Sequence, residues 1–172
     1  MICNPPHPQK GEAARRRRYI PAVLAVVTTV LALTSPAFHA GGHIPSPFTC
    51  TGADLSPPLR WSHVPRRTST FALRLDDPDA PGGTFTHWTA WNLGGASFTA
   101  GARFRFEGTN SFGRIGYSGP CPPSGSVHHY VFRLYALNAR LTLKRGATPA
   151  QFSTALRGHV VATARLVALY GR

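Results

Sequence analysis

Proline and glycine interrupt this 172-residue chain every ten or so residues, with 16 prolines and 17 glycines in all. Proline lacks a backbone donor and fixes φ, and glycine in an element interior costs order, so long helices have almost no room. Between the interruptions lie short runs rich in aromatic and β-branched residues. The candidate strands are Phe48–Cys50, Leu59–Trp61, Thr70–Asp76, His87–Leu93, Phe112–Tyr117, His129–Leu137 and Val160–Tyr170. Many short strands at such spacing predict a mainly β chain, a sandwich or barrel of antiparallel strands. One helix fits: Thr148 as N-cap, Pro149 in the first position, Ala150 to Arg157 as the body and Gly158 as the stop.

The N-terminus reads differently. A basic block, Arg15 to Arg18, precedes an apolar stretch from Ile20 to Leu33, and small residues follow at Ser35-Pro36-Ala37 and Phe38-His39-Ala40. That order predicts a secretory signal peptide over residues 1–40, cleaved near Ala37 or Ala40. The apolar run is shorter than the roughly 20 residues of a membrane-spanning helix, so an uncleaved anchor is the alternative. The mature chain would be a single domain over 41–172, secreted or periplasmic. It keeps two cysteines, Cys50 and Cys121. An oxidising compartment favours a disulfide between them over two buried thiols.

From Gly41 onward there are 14 Lys and Arg against 5 Asp and Glu, a net charge of +9. The field favours anionic partners. The arginines are scattered and no nucleic-acid motif surrounds them, which argues against a nucleic-acid partner.

Against this basic background, three of the five acids crowd into Asp76-Asp77-Pro78-Asp79-Ala80-Pro81. The two-residue period of a strand places Phe71, Leu73, Leu75 and Asp77 on one face and Asp76 on the other. It likewise aligns His128, Tyr130, Phe132 and Leu134, with His129 facing away. A polar group that continues an apolar face points inward at the rim of the core. Asp79 is expected to hold its own turn through a side-chain-to-backbone bond. The segment Gly116 to Gly125 is rich in glycine and proline, and its free N–H groups at Gly119 and Cys121 can face an anion as a backbone nest. Trp61, Trp88 and Trp91 read as packing.

Several ordered motifs carry a resemblance. Asp77-Pro78-Asp79-Ala80-Pro81, His87-Trp88 leading to Trp91-Asn92, Gly113 through Pro123, and His128-His129-Tyr130-Val131-Phe132 resemble the phosphatidylethanolamine-binding proteins, PEBP for short. The nearest likeness is to the bacterial, Raf-kinase-inhibitor-like branch. Thr51 to Trp61 and Gly158 to Arg172 agree as well, so the likeness spans about residues 44 to 172. The resemblance implies an antiparallel β-sandwich with an anion pocket at one end. It carries ligand-binding roles onto Asp77, Pro81, His87, His128 and Tyr130, which join Gly119 and Cys121. It implies a phosphate or phospholipid-headgroup ligand, with no cofactor. Eukaryotic members have a further C-terminal segment, so kinase inhibition is not expected for a chain stopping at Arg172.

Two alternatives of other classes stand beside the binding protein. One is a protein-interaction module that inhibits a hydrolase or another enzyme. The other is a metal-dependent hydrolase using Asp77, His87 and His128 as a two-His, one-carboxylate set. No nucleophile-elbow pattern surrounds Ser118 or Ser124, and Glu107 is the single glutamate after the leader.

Overall fold

The computed structural model describes Met1, Cys3 and residues 30–172. The basic block and the apolar run from Ile20 to residue 29 therefore lie outside the described residues. Seven strands build two antiparallel sheets. The smaller sheet orders β1 (Ala32–Thr34), β2 (Leu59–Ser62) and β5 (Ser97–Phe98) as β1-β2-β5. The larger orders β3 (Thr70–Asp77), β4 (Phe85–Leu93), β6 (Val127–Leu137) and β7 (Val160–Gly171) as β4-β3-β6-β7.

Alternation along β3 decides how the layers stack. Phe71, Leu73 and Leu75 face the smaller sheet, where they join Leu33, Leu59, Trp61, Trp88, Phe132 and Leu134 in the main core. Ala72 faces the other way, into a second cluster with Trp91, Leu137, Leu141 and Phe152. Phe152 belongs to the one α-helix among the described residues, α1 (Pro149–Ala155), whose N-cap Thr148 Oγ1 accepts from Gln151 N–H while Gln151 Oε1 accepts from Thr148 N–H. This reciprocal cap secures a helix too short to persist alone. The order is small sheet, large sheet, helix: a mainly β sandwich with one short helix, as the sequence predicts.

Two expectations need correction. Phe48–Cys50 is not a strand; Ser46–Phe48 form a 3-10 turn. Phe112–Tyr117 is a loop whose one bridge, Ile115 to Thr109, is local and lies outside both sheets, and it bends at Gly113 (φ 77°) and Gly116 (φ 100°). The folded unit also begins before residue 41. β1 pairs Ala32 with Ser62 and Thr34 with Arg60, and Leu31, Leu33 and Phe38 are buried in the main core. An alternating strand lies hidden inside what reads as the end of an apolar leader.

Cys50 and Cys121 form a disulfide across 71 residues, with Cα atoms 5.4 Å apart. It fixes the Gly- and Pro-rich loop, reinforced by the Cys50 N–H bond to Pro120 O at 3.1 Å. The loop thereby settles over the edge of β4, next to the end of β3.

Candidate functional site

The β3–β4 pairing shifts register between Leu75 and Asp76. Such bulges re-aim side chains at strand ends. The extra residue is His87 on β4, since Leu75 pairs with Trp88 and Asp76 with Thr86, while Asp77 keeps the inward parity of Leu75 on β3. Asp77 Oδ1 accepts from Asp79 N–H at 2.9 Å, closing the turn, and its Oδ2 accepts from His128 Nδ1–H at 2.8 Å. Asp77 is 3% and His128 6% exposed. The pair joins the end of β3 to the start of β6, although the residues are 51 apart in sequence.

His87 comes from β4 and is equally buried. Its Nδ1–H donates to Ser118 O at 2.9 Å, and Ser118 N–H donates back to His87 O at 3.2 Å. Burial lowers its pKa, against the opposing pull of the Ser118 carbonyl and the Asp77 charge. The ring is therefore neutral near pH 7, and with Nδ1 protonated its Nε2 is a hydrogen-bond acceptor. His87 packs edge-on to Tyr130, with centroids 5.3 Å apart, and to Phe112 at 5.5 Å.

Asp77, His87 and His128 share a cavity of about 290 Å³. Pro81, Phe85, Phe112, Cys121, Pro122 and Pro123 wall it, and Arg172 completes the lining. Tyr130 packs against His87 outside the lining, fully buried, and among the described residues its hydroxyl makes no short hydrogen bond. Burial first, then the adjacent Asp77 carboxylate, hold its phenol well above the ordinary range, so it remains an O–H donor.

Six of the seven sequence-predicted ligand positions thus converge: Asp77, Pro81, His87, Cys121 and His128 in the lining and Tyr130 outside it, against His87. Gly119 does not join them. Its N–H donates to Asp54 Oδ1 at 2.6 Å, so it is not a free donor for an anion. A side chain there would also collide, since an added Cβ would lie 2.7 Å from Phe48 O. Gly119 is a packing glycine.

The other acids take separate structural tasks. Asp76 faces the helix side and receives Arg74 Nε at 2.7 Å, Thr86 Oγ1 at 2.8 Å and Arg133 Nη1 at 2.8 Å, tying β3, β4 and β6 together. Asp79 does not bond its own turn; its Oδ2 accepts from His129 N–H and from His129 Nδ1–H, both at 2.7 Å. The His129 backbone bond foremost holds the Asp79 carboxyl below the usual range. Arg172 and Asp54 were not singled out by the sequence. Both act through tertiary proximity, which no local pattern encodes.

Comparison with known proteins settles the family. The sequence model described as "Phosphatidylethanolamine-binding protein" matches residues 34–171. This chain belongs to the phosphatidylethanolamine-binding protein family. It is similar to a UPF0098 protein of Pyrococcus horikoshii, 43% identical over 149 residues that cover 80% of this chain and 75% of that one. LppC of Mycobacterium tuberculosis, which carries a lipoprotein name, is 39% identical over 172 residues, covering 93% of this chain and 85% of LppC. The crystal structure of a Chlamydia trachomatis PEBP homologue superposes with a TM-score of 0.79 at 39% identity, covering 83% of this chain and 98% of that one. Escherichia coli YbcL, described as a member of the mammalian PEBP family, gives 0.78 at 30% identity, covering 84% and 99%. These relatives place the chain in the bacterial branch.

For a PEBP-family pocket, the hydrogen-bond roles now follow atom by atom. Asp77 is spent on Asp79 N–H and His128 Nδ1–H, which orients His128 and leaves its Nε2 as the working nitrogen. Neutral His87 accepts through Nε2, which suits a protonated phosphate oxygen or an ammonium. Arg172 supplies a positive charge, and the buried Tyr130 beside His87 keeps its phenol protonated. Among the described residues, no three His, Cys, Asp or Glu side chains converge as metal ligands. The hydrolase alternative therefore gains no geometric support.

Proposed function

We propose that this protein is an exported binding protein for a small anion, a phosphate or a phosphorylated headgroup. The observation that carries this reading is the cavity that brings the buried Asp77–His128 pair, His87 and Arg172 together against walls of proline and phenylalanine. A monohydrogen phosphate ester matches the set: its P–OH donates to His87 Nε2, and its charged oxygens accept from Arg172. The walls of Pro81, Phe85, Phe112 and Pro122 exclude water and strengthen those bonds.

Export is supported by the Cys50–Cys121 disulfide and by similarity to a protein with a lipoprotein name. A membrane phospholipid headgroup is one source of the phosphate group.

Calorimetric titration of inorganic phosphate and phosphoethanolamine into the full chain tests the proposal. Saturable binding is expected, weakened at least tenfold by His128→Ala. Absence of saturable binding to the wild type, or equal affinity in the variant, overturns it.

A further inference from the structure

A second cavity, of about 220 Å³, opens elsewhere on the molecule and shares no lining residue with the first. Glu107 forms part of its wall and is 5% exposed. One carboxylate oxygen, Oε1, accepts from the fully buried Trp88 Nε1–H at 3.0 Å. Among the described residues, Oε2 has no hydrogen-bond partner, and no Lys, Arg or His nitrogen forms an ion pair with Glu107. A charge so buried is costly unless something pairs with it.

The backbone holds this carboxylate in place. Glu107 bridges to Ala90 of β4, and Gly146 N–H donates to its carbonyl at 2.8 Å. Opposite, Gly116 has φ 100°, a conformation that favours glycine, and a Cβ there would lie 3.3 Å from Oε2. The missing side chain keeps that oxygen open. Asp54 lines the same cavity with one oxygen committed to Gly119 N–H. Two exposed arginines, Arg103 and Arg145, and two exposed aliphatic side chains, Leu55 and Ile115, complete the surround.

Two carboxylates and two guanidinium groups around one small space match neither a plain anion nor a plain cation. They match a molecule with an ammonium at one end and a carboxylate at the other. We propose that this cavity is a second binding site, for a small zwitterion of the α-amino-acid class. Glu107 Oε2 receives the ammonium and Asp54 adds to its charge. Arg103 and Arg145 take the carboxylate, and Leu55 and Ile115 flank a short aliphatic side chain.

The Trp88 indole N–H resonance, bonded directly to Glu107, reports occupancy in 15N-labelled full chain titrated with L-alanine, ethanolamine or calcium. L-Alanine is expected to shift it saturably. Glu107→Gln, which keeps an acceptor for Trp88, should weaken L-alanine at least tenfold, while His128→Ala leaves it unchanged. Arg145→Gln, an exposed change that leaves the core intact, should weaken L-alanine and leave the weaker ethanolamine response unaltered. No saturable response to L-alanine, a response to calcium alone, or L-alanine affinity unaffected by Arg145→Gln overturns the proposal.

Discussion

Starting the chain at Gly41 should cripple the fold, although the leader pattern places the mature N-terminus there. The shortened chain loses β1, its three-residue pairing with β2, and the buried Leu31, Leu33 and Phe38. Burying one such side chain contributes about 1.5–3 kcal/mol, so the three together contribute roughly 5–9 kcal/mol as an upper estimate. A domain of this size is stable by only about 5–15 kcal/mol. Removing β1 also bares the core-facing side of Leu59 and Trp61 on β2. Urea unfolding, followed by tryptophan fluorescence, should therefore separate a chain starting at Val30 from one starting at Gly41. With an m-value of about 2 kcal/mol/M, the midpoint should fall by about 2.5 M or more, or no folded baseline should appear. Coincident midpoints would refute the reasoning. The consequence reaches processing: in an exported protein that keeps this fold, cleavage falls upstream of Leu31, or the apolar run stays attached as an anchor.

Replacing both Cys50 and Cys121 with serine releases a loop spanning 71 residues, which should cost about 4 kcal/mol on the chain-entropy account. Because Cys121 lines the anion cavity, phosphate affinity should fall with it; a midpoint equal to wild type would refute the first part and unchanged affinity the second. Stability should also decline on acidification. Burial lowers the His87 pKa in the fold, so below an unfolded value of about 6.5 the unfolded chain takes up a proton that the folded chain refuses. The contribution is neutral above that pH and destabilising below it, down through the folded pKa. Thermal unfolding between pH 7.5 and 5 should show this slope, and His87→Gln should flatten it; an unaltered slope would refute the assignment.

What the sequence made legible follows from how each residue is held. Parity placed Asp77, His128 and Tyr130 correctly because β3 and β6 lie in the middle of the large sheet, where a slip of one residue would turn an apolar face outward. The Phe112–Tyr117 run misled for the opposite reason. Its shape is set by Asn110, whose amide donates to Gly116 O and Ser118 Oγ while its carbonyl accepts from Phe112 and Arg114 N–H. One polar side chain outweighs six residues of β-propensity when no neighbouring strand is there to pair them. β1 was hidden because Leu31 and Leu33 alternate with small or β-branched neighbours that are themselves apolar, so a period of two cannot be told from a continuous run.

The three clustered aspartates show why type and spacing alone do not assign chemistry. Asp76 binds two arginines on the helix side, Asp79 clamps His129 at the surface, and Asp77 alone reaches the cavity. Strand alternation between Asp76 and Asp77 and a turn after Asp77 are enough to send adjacent carboxylates in three directions. Their proximity in sequence therefore implies no shared site. The acids that are left unpaired against open space, Glu107 above all, sit where no acidic motif announces them. Asp77 reaches its cavity fully compensated, so it is Glu107's desolvation without a partner, rather than any clustering, on which the proposed second site rests.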